Sequence, residues 1–282
     1  MTRSIIFLCI LFFPTILPGQ QINPLFQLQK NEQELVTMFD SLYRMDDHSQ
    51  RDSLNQQIIH DFSKLLSSWE GYNYRWNALP RMGKLFSEDN KLRIFTWYLP
   101  DKNGDYTYYG LVSFLRTEKR RNKAALIETV ILQDESANIA FPENEKLSPS
   151  AWYGCVYYAL KSFRHRRNTW YALIGYDFNT PFSDKKIIEI LSLNKNGVVD
   201  FAGNFKLTEK ETRRMIFEYS SEVAMFLNYD PRLDRIVFDH LRPFEPILTG
   251  NYRFYGPDGS YDAFRFEKGT FILEEDVDAR NE

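Results

Sequence analysis

The chain has 282 residues, with 35 Lys and Arg against 38 Asp and Glu, and 16% of its residues are aromatic. The formal net charge of −3 argues against a general nucleic-acid binder, which needs a cationic footprint. Two Cys cannot build a dense disulfide framework, but this length can bury a core without staples.

In chain order, Arg3 precedes an apolar run over 5–17 that closes at Pro18-Gly19. That is the layout of a secretory leader over 1–19, and the run is short of the ~20 residues a spanning helix needs. Export to the periplasm, the envelope or the medium is therefore expected, with no transmembrane segment in the mature chain. Losing the leader would remove Arg3 and Cys9 and leave Cys155 as the sole thiol. Cys155 sits in the apolar run Tyr153-Gly154-Cys155-Val156-Tyr157, the setting of a small buried hydrophobe rather than a nucleophile.

The remainder, 20–282, reads as a single β-rich domain opened by a helical hairpin at about 31–67. Asn31 and Glu34 have capping-box spacing, and Leu35, Met38, Phe39 and Leu42 follow at helical intervals. A second stripe runs through Leu54, Ile58, Phe62 and Leu66. The pattern over 69–82 does not distinguish strand from loop. Strands are expected at 92–100 and 106–115 around Asn103-Gly104, then at 125–133, 152–160 and 169–176. The segment 186–193 is short, apolar and ambiguous. Three strands in a meander are expected over 213–240, with turns at 220–222 and 230–234. A final hairpin would turn at 256–260, ahead of an acidic tail. Helices followed by hairpin-linked strands give an α+β fold with a predominantly antiparallel sheet.

The stretches WYGCVYYALKSF, TWYALIGYDFN, RMIFEYSSEVAMFLNYD, RIVFDHLRP and FYGPDGSYDAF resemble uncharacterised exported proteins of Bacteroidetes-type bacteria. The resemblance covers 152–281 and implies export and a shared fold. It implies no activity, so it carries no catalytic residue over.

Standard catalytic signatures are absent: there is no G-x-S-x-G, H-E-x-x-H, C-x-x-C or Walker-type loop. No cofactor and no metal are expected. Three constellations stand out. Asp239, His240, Asp258 and Asp262, with Asp276 and Asp278 beyond, would form an acidic rim if their strand ends met. Such a rim suits hydrolysis by paired carboxylates, provided the side chains converge on a concave pocket. Turn chemistry accounts for Asp258-Gly259 equally well. Arg116, Arg120 and Arg121 in one turn, and Arg164, Arg166 and Arg167 in another, would form a cationic patch if both turns share an end. Its ligand would be an acidic glycan or a phosphorylated glycolipid. Trp69, Trp76, Trp97, Trp152 and Trp170 are read as core packing before they are read as a sugar platform. The leading expectation is a non-catalytic envelope module that binds a partner protein or a glycan, with a metal-dependent or carboxylate hydrolase using the acidic rim as the alternative.

Overall fold

A computed structural model describes residues 23–101, 103–116, 126–193 and 198–279. The expected leader, Arg120 and Arg121 lie outside the described residues. The chain forms α1 (Pro24–Arg44), α2 (His48–Leu66), α3 (Trp69–Asn73), β1 (Gly83–Phe86), β2 (Leu92–Pro100), β3 (Tyr106–Arg116) and β4 (Leu126–Gln133). It continues with β5 (Val156–His165), β6 (Asn168–Thr180), β7 (Ser183–Leu193), β8 (Val199–Phe201), β9 (Phe205–Lys206), β10 (Glu211–Thr212) and β11 (Met215–Ser220). The last strands are β12 (Leu227–Asp230), β13 (Arg235–Pro243), β14 (Tyr255–Glu267) and β15 (Thr270–Glu274). This is a mixed α+β fold with mostly antiparallel sheets.

The strands form three sheets. The first runs β1-β2-β3-β4, the second β11-β7-β6-β5 with β8 also on β7, and the third β10-β9-β15-β14-β13-β12. The short β9 pairs parallel to β15. Three apolar clusters stack these layers. Phe39, Leu42, Ile58 and Phe62 of the helices pack on Phe95, Trp97 and Leu111 of the first sheet. The opposite face of that sheet, through Ile94, Val112 and Phe114, meets Tyr157, Leu173, Ile187 and Leu191 of the second. The far face of the second, through Ile174, Ile188 and Ile190, meets Ile236, Phe238, Phe264 and Phe271 of the third.

The second sheet is thus covered on both faces. That explains why β7 gave no clear alternation in the sequence: a strand buried on both sides reads as a continuous apolar run. Its period of two survives in the packing, with Ile187 and Leu191 to one side and Ile188 and Ile190 to the other. Glu189 falls on the first-sheet side and is fully buried. It accepts from Arg214 Nε at 2.5 Å and from the Tyr157 hydroxyl, and Trp152 Nε1 donates to Tyr157 Oη at 2.8 Å. Cys155 lies in this same core, and burial pushes its thiol pKa well up.

Three sequence expectations are corrected. α1 begins at Pro24 behind an Asn23 cap, ahead of the capping-box spacing at Asn31; Pro at the first helical position loses no intrahelical bond. The meander over 213–240 is divided between sheets, because β11 pairs with β7 while β12 pairs with β13. The turn expected at 256–260 is a bulge within one long strand: β14 stays paired to β13 on both sides of it, and Gly259 takes φ 93°. The undecided stretch 69–82 holds the short α3 and a buried Trp76 at φ 52°. No helix among the described residues is long and apolar enough to cross a membrane.

Candidate functional site

The described parts of the two basic turns leave the same end of the stacked first and second sheets. Leu115 N, at the close of β3, donates to Lys91 O just before β2. Lys91 in turn lines a groove with Arg167, from the turn between β5 and β6. The groove encloses about 440 Å³ and is also walled by Trp170, Tyr171, Thr169 and Ser192.

Each wall is held from behind. Ser87 Oγ and Asp89 Oδ1 accept from Lys91 N at 3.1 and 3.2 Å, which fixes the tight turn that projects the lysine. The Tyr171 hydroxyl donates to Asp89 Oδ2 at 3.0 Å, and burial raises its pKa. Trp170 packs against Phe266 with ring centroids 5.6 Å apart. Gly269 approaches the same indole so closely that a Cβ there would stand 3.3 Å from it. The β5–β6 hairpin closes in two residues, Arg166 and Arg167, and Arg166 takes φ 55°. Gly or Asn would adopt that conformation at lower cost.

Arg164, Arg166 and Arg167 are exposed, as is Lys91. Among the described residues none of the four forms a salt bridge, whereas Arg116 pairs with Glu128 at 3.2 Å and Lys161 with Glu88 at 2.9 Å. The result is a charged rim over an aromatic wall with the hydroxyls of Thr169, Tyr171 and Ser192, suited to a planar or ring-shaped anion.

The acidic rim is assembled differently. His240 Nδ1 lies 2.7 Å from Asp262 Oδ2, and Asp262 Oδ1 accepts from Asp276 N at 3.1 Å, tying down the chain beyond β15. Asp239 stands opposite Tyr261 and Asp262 opposite Phe238, adjacent register positions on β13. Asp239 accepts from Phe226 N at 2.5 Å. Burial raises its carboxyl pKa, against that hydrogen bond and the charge of Lys186. Asp258 is held low by its hydrogen bonds from Ser260, helped by His240 and Arg242; Arg242 Nε is 2.9 Å away. Asp239, Asp258 and Asp262 are therefore each already engaged, with Phe226, with Ser260 and Arg242, and with His240 and Asp276 respectively. Among the described residues no group of three His, Cys, Asp or Glu is placed to hold a metal ion.

Of the five tryptophans, Trp76, Trp97 and Trp152 are fully buried, Trp69 is 58% exposed on α3, and Trp170 lines the groove. Sequence reasoning singled out the arginines of the β5–β6 turn, one of which lines the groove, but passed over Lys91, which stands alone before an apolar strand. It also passed over Glu189 and Arg214. Glu189 is a lone carboxylate inside Ile187-Ile188-Glu189-Ile190-Leu191, and that isolation is the available signal for a buried pair. No protein-family model matches the chain, and no curated protein or solved structure does either.

Proposed function

We propose that the protein is an exported, non-catalytic binding module of the cell envelope that holds an anionic glycan at the cationic end of its sheets. The observation that carries this reading is a pair of exposed cations, Lys91 and Arg167, lining the Trp170 groove, with Arg164 and Arg166 exposed on the same β5–β6 hairpin and none of the four in a salt bridge among the described residues. Exposed charges usually find partners or spread out, and like charges held together on an acidic chain favour an anionic partner. An acidic protein face would be drawn by the same charges. The indole wall of the groove favours a sugar ring, whose C–H face stacks on an aromatic ring. The N-terminal helices, read as a hairpin, cover the far face of the first sheet and take no part.

The test is titration of the mature chain with a galacturonate oligosaccharide, a neutral oligosaccharide of equal length and inorganic phosphate. The reading expects the uronate to bind best and to weaken as salt rises, because screening acts on exposed charges. The combined variant Arg164→Glu, Arg166→Glu and Arg167→Glu should lower affinity at least about tenfold. Uronate binding that ignores salt, or uronate binding unaffected by the three reversals, would overturn it.

A further inference from the structure

A second opening lies near the other end of β6 and β7. It encloses about 320 Å³ between the segment 140–144, the middle of β11 and Tyr252. Two rings stand at its rim with much of their surface in solvent: Phe141 is 68% exposed and Tyr252 is 47% exposed. Below them, Lys185 of β7 and Glu218 of β11 are directly opposed in register, and both line the opening.

Opposite charges in that cross-strand position ordinarily pair with each other. Here no salt bridge joins them. Lys185 Nζ reaches instead toward the Tyr153 hydroxyl at 3.4 Å. Glu218 Oε1 accepts from Ser183 Oγ at 2.8 Å and from Asn179 Nδ2 at 3.1 Å. Glu218 Oε2 takes no hydrogen bond among the described residues. The opening therefore presents an ammonium with unused donors and a carboxylate oxygen with unused acceptor capacity, beside two aromatic faces.

The rim is fixed from inside the core. Arg214 is fully buried against Glu189, and it donates to the carbonyl oxygen of Pro142. Arg213 N donates to Glu143 O at 2.7 Å, and Thr212 Oγ1 donates to the same oxygen. The buried ion pair thus anchors the segment that carries Phe141. An aromatic wall with little freedom to lose on binding is a preorganised one.

We propose that this opening is a binding subsite for a neutral hexopyranose unit. An anion would meet Glu218 and a cation would meet Lys185. A vicinal diol satisfies both, accepting from the ammonium and donating to the carboxylate, while the C–H face of the ring lies on Phe141 or Tyr252. The volume falls near the lower bound of the ~300–1,000 Å³ typical of small-ligand sites, which suits one or two sugar rings. The subsite is independent of the cationic end.

Saturation-transfer NMR on the mature chain with maltohexaose, cellohexaose and tetra-N-acetylchitotetraose tests this. At least one of the three should give transfer, and Tyr252→Ala and Lys185→Met should each weaken it at least tenfold. The triple arginine reversal at the cationic end should leave it intact. Tyr252 and Phe141 are exposed, so Tyr252→Ala and Phe141→Ala decide the matter if Lys185→Met fails to fold. No transfer from any of the three sugars overturns the subsite. So does transfer that survives both ring truncations, or transfer abolished by the arginine reversals.

Discussion

The exposed end of the sheet stack and its buried interior hold their charges in opposite ways. At the cationic end, Arg164, Arg166 and Arg167 stand in solvent without carboxylate partners among the described residues. In the middle of the second sheet, by contrast, Arg214 is wholly buried, locked to Glu189, which faces Leu173 of β6 in register, and bonded to the Pro142 carbonyl. The same side chain serves in one place as a recognition group and in the other as an internal strut. The difference follows from desolvation. A guanidinium taken out of water must be fully paired, and one left in water keeps its donors for a ligand. β6 spans 13 residues, roughly 40 Å at ~3.3 Å per residue, against a screening length of ~8 Å in physiological salt. The groove at one end of β6 and the opening beside Lys185 near its other end are therefore electrostatically independent.

The sharpest way to break this contrast is Arg214→Met. It strands Glu189 in the core and should cost about 3–5 kcal/mol in urea unfolding. The triple arginine reversal at the exposed end should change stability by no more than about 0.5 kcal/mol. Similar losses from both would erase the distinction between strut and recognition group. A smaller effect is expected from Gly259→Ala. The site is open in space, so only the backbone strain at φ 93° counts, about 1 kcal/mol. Thermal melting measures it, and no loss would mean that the bulge in β14 relaxes freely.

The smallest effect is expected on the outer face of the third sheet. Glu274 is held below the usual carboxylate range by its hydrogen bonds from Arg235 and then Arg265. A depressed carboxyl pKa adds stability that is present above the unfolded value of about 4.3 and is lost as pH falls through the folded value. Glu274→Gln should therefore remove about 0.5–1 kcal/mol at pH 7 and flatten the acid limb of the stability curve below pH ~4. An unchanged acid limb would show that the network contributes nothing.

What was legible in the sequence tracks how local each feature is. The helices announced themselves through Leu35, Phe39, Ile58 and Phe62 at helical spacing, and the β2–β3 hairpin through Asn103-Gly104. The division of strands among three sheets was not legible. Met215 to Ser220 alternates like its neighbours, and only long-range pairing decides that it joins β7. The Pro-Asp-Gly-Ser run at 257–260 carries turn chemistry, yet continued pairing with β13 on both flanks turns it into a bulge. The arginines of the cationic end were legible because three stand in four residues. Lys185, Glu218, Phe141 and Tyr252 were not, since 33 or more positions separate Lys185 from Glu218 and from the two rings.

The most direct test of the central claim is the indole N–H spectrum of the 15N-labelled chain over residues 20–282 during titration with a galacturonate oligosaccharide, with the Trp170 signal assigned through Trp170→Phe. Trp170 should shift and saturate. Trp97 and Trp152, which are buried, should stay still, and Trp69, exposed but far from the arginines in sequence, serves as the control for casual stacking. Saturable movement of Trp170 alone is the predicted result. A spectrum in which Trp170 does not move, or in which Trp69 moves as much, would contradict recognition at the cationic end.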